Sequence, residues 1–197
     1  MANLIKESAR GYDLVSSQDI LFTKRKIFLT REVTDESCDD LLKNLMALND
    51  DNPDEEITLY INSPGGDVLS GLAVFDYIKS MSAPLKTVCI GTAASMGAIL
   101  FLSGKNREMY SHSRIMIHDP SYGNNNVSGK KPHEIQKELD KLIMTRDTLA
   151  QIIATTTGKT IKEINKITKE DSYYYADEAL KFGLATKIIK DKENKDE

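Results

Sequence analysis

The sequence predicts an α/β fold with a mostly parallel sheet. Three segments rich in β-branched and apolar residues, 57–63, 85–91 and 114–118, have the length of buried strands. Each of the first two is followed at once by a segment whose apolar residues recur at helical spacing. Strands that alternate with helices in this way are typical of a parallel sheet covered by helices.

Length and composition limit the class of protein. The 197 residues, 40% of them hydrophobic, are enough for one domain with a full core. The 26 basic and 30 acidic residues form no basic stripe, which argues against nucleic acid as the main partner. No stretch reads as a signal peptide or a membrane span, so we expect a cytoplasmic protein with no membrane partner. Cys38 and Cys89 are expected to be free thiols in the core, and no metal or other cofactor is expected.

The first half of the chain contains two βα units after a short strand at 27–30. Thr34 is predicted to cap a helix that runs to about Leu48. The apolar side of that helix should consist of Cys38, Leu41, Leu42, Leu45 and Met46. Strand 57–63 leads through a Pro-Gly-Gly turn into a helix whose apolar residues are Val68, Leu72, Phe75 and Ile78. Strand 85–91 leads into an apolar helix that should stop near Gly104.

The second half begins with strand 114–118 and then a polar, turn-rich segment. Pro132 is predicted to open a long helix that could project from the core. Thr160 and Glu163 form a capping box for a short helix. Residues 173–183 are predicted to form a helix that ends at Gly183 and precedes a last strand, and the charged residues 190–197 a solvated tail.

Ser95 lies among small residues in the run GTAASMGA, where the second strand gives way to a helix. It could simply cap this helix, or its hydroxyl could act as a nucleophile beside free backbone N–H groups that stabilise an oxyanion. The G-x-S-x-G signature of α/β-hydrolases is absent. The run SPGG at 63–66 is either an ordinary turn or a second source of exposed amides, one of which could be a further oxyanion donor.

A nucleophilic serine needs a base and a group that orients the base. His118 ends the third strand, at the same sheet edge as Ser95 and Gly66, whereas His112 and His133 are expected to be exposed. A hydrogen-bonded structural histidine is the alternative. The residues alone leave the orienting carboxylate open among four candidates: Asp119, Glu170, Asp171 and Asp177.

Four motifs together resemble the ClpP family of chambered serine peptidases. The runs LYINSPGGDV, GTAASMGA, RIMIHDP and EDSYYYADEALKFGLA occur in this order, and the resemblance covers roughly residues 10–188. It implies a Ser-His-Asp triad of Ser95, His118 and Asp171. It also implies that the backbone amides of Gly66 and Met96 are the oxyanion donors.

The resemblance further implies a crotonase-like fold of repeated ββα units in a single domain over 1–197. Residues 1–20 would form an N-terminal gating segment, and 119–155 a projecting handle of a strand and the long helix. Heptameric rings would pair through the handles into a tetradecamer that encloses the sites. Unfolded polypeptide would be the substrate, bound as an added strand and delivered by an ATP-driven AAA+ unfoldase of the Clp type.

The sequence also departs from the family. Of the large apolar positions at which an unfoldase docks, Tyr60 matches, but the others fall on Ala47, Thr58, Ser80 and Glu108. Lys169 and Glu170 carry charges opposite to those of the family's acid and arginine. These changes favour an alternative, a catalytically silent or partner-dependent ring subunit in a mixed assembly with a second ClpP-like subunit. An acyl-CoA enzyme of the crotonase class is a third hypothesis.

Overall fold

In the computed structural model, the described residues are 3–8, 11–121 and 129–190. The strands are β1 (Asn3–Ser8), β2 (Gly11–Ser16), β3 (Lys26–Leu29), β4 (Ile57–Ser63), β5 (Leu85–Ala94), β6 (Asn106–Tyr110), β7 (Arg114–Ile117), β8 (Ser172–Tyr175) and β9 (Lys187–Ile189). The helices are α1 (Ser17–Phe22), α2 (Asp35–Asp51), α3 (Val68–Ser80), α4 (Met96–Leu102), α5 (Pro132–Thr157), α6 (Ile161–Ile167) and α7 (Ala176–Phe182).

The described residues form one main sheet of seven strands, in which β3, β4, β5, β6 and β9 are parallel neighbours in that order. Strand β7 pairs in parallel with the last residues of β5, beyond the part of β5 that pairs with β6. Strand β8 then pairs antiparallel with β7. The prediction of an α/β fold with a mostly parallel sheet is confirmed. Outside this sheet, β1 and β2 form an antiparallel hairpin within the segment expected to act in gating, where no strands were predicted.

Helix α2 begins where the sequence predicts, with the Thr34 hydroxyl accepting from the backbone N–H of Ser37. Its buried apolar residues are Cys38, Leu41, Leu45 and Leu48. Met46 is 43% exposed, so its assignment to the buried side was wrong. At 100° per residue it lies beyond the edge of the stripe that the buried residues define. Both cysteines are free and buried as predicted, and burial raises the pKa of each thiol.

The prediction of a helix from 173 onwards was wrong at its start, because residues 172–175 form strand β8. Tyrosine suits a half-buried pleated surface, and the tyrosines of β8 pair with Arg114, Ile115 and Met116 of β7. Helix α7 runs from Ala176 to Phe182, and Gly183 ends it as predicted, in the left-handed conformation that glycine adopts readily. Strand β6 was not predicted, because only one residue of its sequence NREMY, Met109, is fully buried and the segment shows no apolar strand pattern.

The long helix α5 packs on the core only near its C-terminal end, where Leu149, Ala150, Ile153 and Ala154 are buried. Farther towards its N-terminus, apolar side chains at Ile135, Leu139, Ile143 and Met144 are exposed, Met144 by 70%. Residues 122–128, within the expected handle, and 191–197 of the expected tail lie outside the described residues. No helix in the described ranges is both long and apolar enough to cross a membrane.

Candidate active site

Ser95 occupies the junction between β5 and α4 in an unusual backbone conformation. Its φ is 52° and its ψ is −122°, in a region that residues with a side chain rarely adopt. Its N–H donates to Met116 O at 2.9 Å, which ties the junction to β7. The side chain makes no N-cap hydrogen bond. Instead, its Oγ lies 2.8 Å from His118 Nε2.

Glycines make room for this junction. A Cβ on Gly65 would lie 2.6 Å from Ser95 Cβ and 2.9 Å from Met96 N, both shorter than van der Waals contact. A Cβ on Gly97 would lie 3.2 Å from Ser63 Cβ. The turn after β4 therefore packs with its bare backbone against Ser95. A non-glycine residue with such a φ costs about 1–3 kcal/mol, which the surrounding structure must offset.

His118 follows β7 at the same edge of the sheet, and its side chain is 26% exposed. Its Nδ1 lies 3.4 Å from Asp171 Oδ1, while its Nε2 faces Ser95. Asp171 precedes β8, and its side chain is 58% exposed. The structure thus brings Ser95, His118 and Asp171 into one line of polar contacts, the arrangement that proton transfer from a serine hydroxyl requires.

The other candidates for these roles lie elsewhere. The carboxylate of Asp119 accepts a hydrogen bond from the Thr168 hydroxyl. Glu170 and Asp177 are exposed, and so are His112 and His133, as predicted. Within the described residues, no group of three or more His, Cys, Asp and Glu side chains is arranged to hold a metal ion.

The backbone at Gly66 is held by the segment that precedes α2. Val33 N–H donates to Gly65 O, and Asp67 N–H donates to Val33 O, both at 2.7 Å. Gly66 has a φ of 144°, and a Cβ there would lie 2.2 Å from Val33 O. Met96 is the first residue of α4, so its N–H is one of those that a helix leaves without an internal partner. Gly65 lies between the Gly66 turn and the start of α4, since a Cβ added to it would meet Ser95 and Met96.

Asp67 caps helix α3 directly after this turn. Its carboxylate accepts hydrogen bonds from the N–H and the hydroxyl of Ser70, both at 2.7 Å. These hydrogen bonds hold the pKa of Asp67 below its ordinary value. The Ser70 hydroxyl also contacts the carboxylate of Asp35, at the start of α2.

A small cavity of about 20 Å³ opens beside Ser95 and His118. Its other walls are apolar and come from Val68, Met96, Ile99, Ile117, Pro120, Leu149 and Ile153. The volume is that of about one water molecule. The site therefore places an apolar recess next to a polar contact line.

The positions compared with an unfoldase docking pocket lie on strands β4 and β6 and on helices α2 and α3. Tyr60 stacks on Phe28 with ring centroids 5.1 Å apart. Thr58 is buried, and Glu108 forms an ion pair with Lys187 at 3.3 Å. Ala47 and Ser80 are exposed.

A protein-family model described as Clp protease matches residues 6–192 of this chain. The match takes in every residue of the contact line and of the glycine turn beside it.

Proposed function

The chain belongs to the Clp protease family, and from that premise we propose that it is a serine endopeptidase whose nucleophile is Ser95. Membership of the family makes it a ClpP-like peptidase. The observation that carries the finer assignment is the 2.8 Å contact between Ser95 Oγ and His118 Nε2, at a serine that makes no cap hydrogen bond. A helix-capping serine would direct its oxygen at the helix N–H groups instead.

In the proposed reaction, His118 Nε2 takes the Ser95 proton as Oγ attacks the peptide carbonyl carbon. Asp171 orients the imidazole and stabilises its protonated form. The protonated His118 then gives its proton to the leaving amine, and the acyl group stays on Ser95. His118 next removes a proton from water as the water oxygen attacks the ester carbon. The protonated His118 then gives this proton to Ser95 Oγ as the ester bond breaks, which frees the acid and restores the serine.

We assign the oxyanion to the backbone N–H groups of Gly66 and Met96. The bonds between Val33 and the Gly65–Asp67 backbone support this assignment, because they hold the turn rigidly beside Ser95. The apolar cavity is a candidate for binding a small substrate side chain.

Membership of the family implies assembly into rings. We propose heptameric rings paired into a tetradecamer, with the exposed apolar residues of α5 as part of the contact between rings. The substrates would be unfolded polypeptides in the cytoplasm, supplied by an AAA+ unfoldase of the Clp type.

The proposal is tested by labelling the purified protein with a fluorophosphonate and measuring cleavage of a short fluorogenic peptide, with particle mass from light scattering. We expect a label on Ser95 and cleavage by a tetradecamer. Ser95→Ala should lose both and keep the particle mass. Ser111→Ala, at an exposed turn serine, is the matched control. Cleavage that survives in Ser95→Ala would exclude Ser95 as the nucleophile.

A second candidate function is a ring subunit that is silent until a second ClpP-like subunit aligns its triad. The exposure of Asp171 and the 3.4 Å between its Oδ1 and His118 Nδ1 favour it, because this link can be lost without a partner. So does the altered docking surface, which lacks apolar anchors at Thr58, Ser80 and Glu108. Fluorophosphonate labelling that appears only after mixing with an active-site mutant of such a subunit would establish this alternative.

A further inference from the structure

We infer that Thr168 and Asp119 are positioning residues that hold Asp171 against His118. The inference rests on the proposed function, since it concerns how the base is oriented. Of the two contacts that His118 makes with Ser95 and Asp171, the one with Asp171 is the longer. The 3.4 Å between His118 Nδ1 and Asp171 Oδ1 exceeds an ordinary hydrogen bond, and an Asp171 side chain that is 58% exposed has few neighbours to restrain it.

The two backbone segments that carry His118 and Asp171 are joined on both sides of this link. On one side, Ile117 pairs with Ser172 in the antiparallel register of β7 and β8. On the other side, the N–H of Asp119 donates to Thr168 O at 2.6 Å. His118 lies between Ile117 and Asp119, and Asp171 lies between Thr168 and Ser172. The two connections therefore bracket the contact between imidazole and carboxylate.

The connection at Thr168 is reinforced by its side chain. The Thr168 hydroxyl donates to Asp119 Oδ1, and its Oγ1 also lies 3.1 Å from Ile164 O. Thr168 is only 3% exposed and stands at the C-terminal end of α6, where its N–H donates to Ile164 O. It thus fixes the point from which residues 169–171 extend.

Residues 169–171 are all exposed, so they have little packing of their own to hold them. Without the Thr168 hydroxyl, the Asp119 carboxylate loses a hydrogen-bond donor, and the connection on that side depends on one backbone bond. The carboxylate of Asp171 would then spend less time near His118 Nδ1. A misplacement of about 1 Å in a catalytic group can cost about a hundredfold in rate.

The test is a double-mutant cycle with a conservative rescue. Thr168→Val removes the hydroxyl and keeps the shape, whereas Thr168→Ser keeps the hydroxyl. Each is made in the native chain and in Asp171→Ala, and kcat and KM for a fluorogenic peptide are measured with the fluorophosphonate labelling rate. Thr157→Val is the matched control, because Thr157 also ends a helix and its hydroxyl donates to a main-chain oxygen, Ile153 O, at 2.7 Å.

We expect Thr168→Val to lower kcat by about ten- to a hundredfold with KM little changed, and Thr168→Ser to restore it. In the Asp171→Ala background, Thr168→Val should cost nothing further, because the group that it positions is gone. Thr157→Val should behave like the native chain. If Thr168→Val is fully active, or costs the same factor with and without Asp171, the inference is wrong.

Failure of the inference can be told apart from failure of the proposed function. Absence of labelling at Ser95, or an Asp171→Ala variant as active as the native chain, would refute the proposed function, and the inference would fall with it. Particle mass and thermal unfolding are recorded for every variant. Should Thr168→Val not assemble, Asp119→Ala removes the acceptor of the same hydrogen bond and must show the same dependence on Asp171.

Discussion

Two junctions in the described chain place a residue other than glycine at positive φ, Ser95 at 52° and Arg25 at 56°. Ser95 directly follows β5, which ends at Ala94, and Arg25 directly precedes β3, which begins at Lys26. The two residues share a positive φ, but their side chains have different contacts. The Ser95 hydroxyl meets His118, whereas the Arg25 guanidinium meets main-chain oxygens.

Arg25 is 4% exposed and binds the end of α2 and the loop that follows it. Its Nη2 donates to the oxygens of Leu48, Asn52 and Glu55 at 2.8–3.1 Å, and its Nη1 to Asp51 at 3.3 Å. A cation there satisfies carbonyl groups that a helix C-terminus leaves without partners. The cost of the positive φ at Arg25 is thus offset by hydrogen bonds that stabilise the fold. At Ser95, the unusual backbone conformation places one hydroxyl beside His118. Backbone strain alone does not identify an active site; the groups that the side chain faces do.

The largest effect should come from placing glycine at each junction. Ser95→Gly should lower peptidase activity by about 10³-fold or more and raise the free energy of unfolding by about 1 kcal/mol relative to Ser95→Ala, because glycine adopts positive φ without strain. Arg25→Gly should lower stability instead, since it removes the guanidinium. Chemical denaturation measures both. A loss of stability in Ser95→Gly relative to Ser95→Ala would show that the junction is not strained.

The close packing at Ser95 can be broken from the opposite side. Gly65→Ala should lower kcat by about a hundredfold or more, because its Cβ would lie 2.6 Å from Ser95 Cβ and displace Ser95, the proposed nucleophile. Gly158→Ala is the matched control, with a φ of 72° but no atom within 4 Å of the added Cβ. It should cost about 1 kcal/mol of stability and leave kcat unchanged. Equal kcat values for the two variants would refute the packing argument.

If Arg25 has only a structural role, its replacement should lower the stability of the protein and leave its activity per folded molecule unchanged. Arg25→Met should lower the free energy of unfolding by about 3 kcal/mol, since it removes the guanidinium hydrogen bonds to the main-chain oxygens of Leu48, Asn52 and Glu55. The rate of Ser95 labelling per folded molecule should stay within about twofold of the native rate. Thermal unfolding and labelling below the transition measure the two quantities. A large fall in labelling would place Arg25 in the machinery of the site and remove the contrast between the junctions.

The smallest effect concerns Asp67, which precedes α3 with an ordinary φ of −63°. Its lowered pKa means that its stabilising effect is complete above the unfolded value of about 3.9 and is lost as the pH falls through the lower, folded value. Because the carboxylate is exposed, we expect Asp67→Ala to cost only about 0.5–1 kcal/mol at neutral pH. The difference from the native chain should shrink below about pH 4.

Asp67→Asn is the control for this pH dependence, since an amide caps a helix without titrating. A difference between native and Asp67→Ala proteins that stays constant down to pH 2 would contradict the role of the carboxylate charge.

The sequence predicts the βα units because their strands and helices differ in period, and it predicts helix starts where side chains cap them, as at Thr34 and Thr160. The prediction fails at Tyr173–Tyr175, because no Ser, Thr, Asp or Asn marks the boundary between strand and helix. Tyr175 holds the N-cap position instead, and its N–H donates to Glu178. Ser95 and His118 can be found from their places after two strands. The conformation of Ser95 cannot, because the glycine that permits it, Gly65, belongs to another segment.

The choice of Asp171 shows the same limit. Spacing left four carboxylates open, and the resemblance to a family selected Asp171. Asp119 is the candidate nearest to His118 in sequence, but in the structure its carboxylate accepts a hydrogen bond from Thr168. Long-range hydrogen bonds of this kind join residues about fifty positions apart and leave no periodic signal.

The burial of both cysteines gives this chain a practical property. The two thiols, at Cys38 and Cys89, are enclosed in the core, and burial raises the pKa of each, so neither presents a reactive thiolate at neutral pH. A single cysteine introduced at the exposed Leu69 would therefore be the one site that a maleimide dye modifies. A fluorescent dye could thus be attached there without any prior removal of native cysteines.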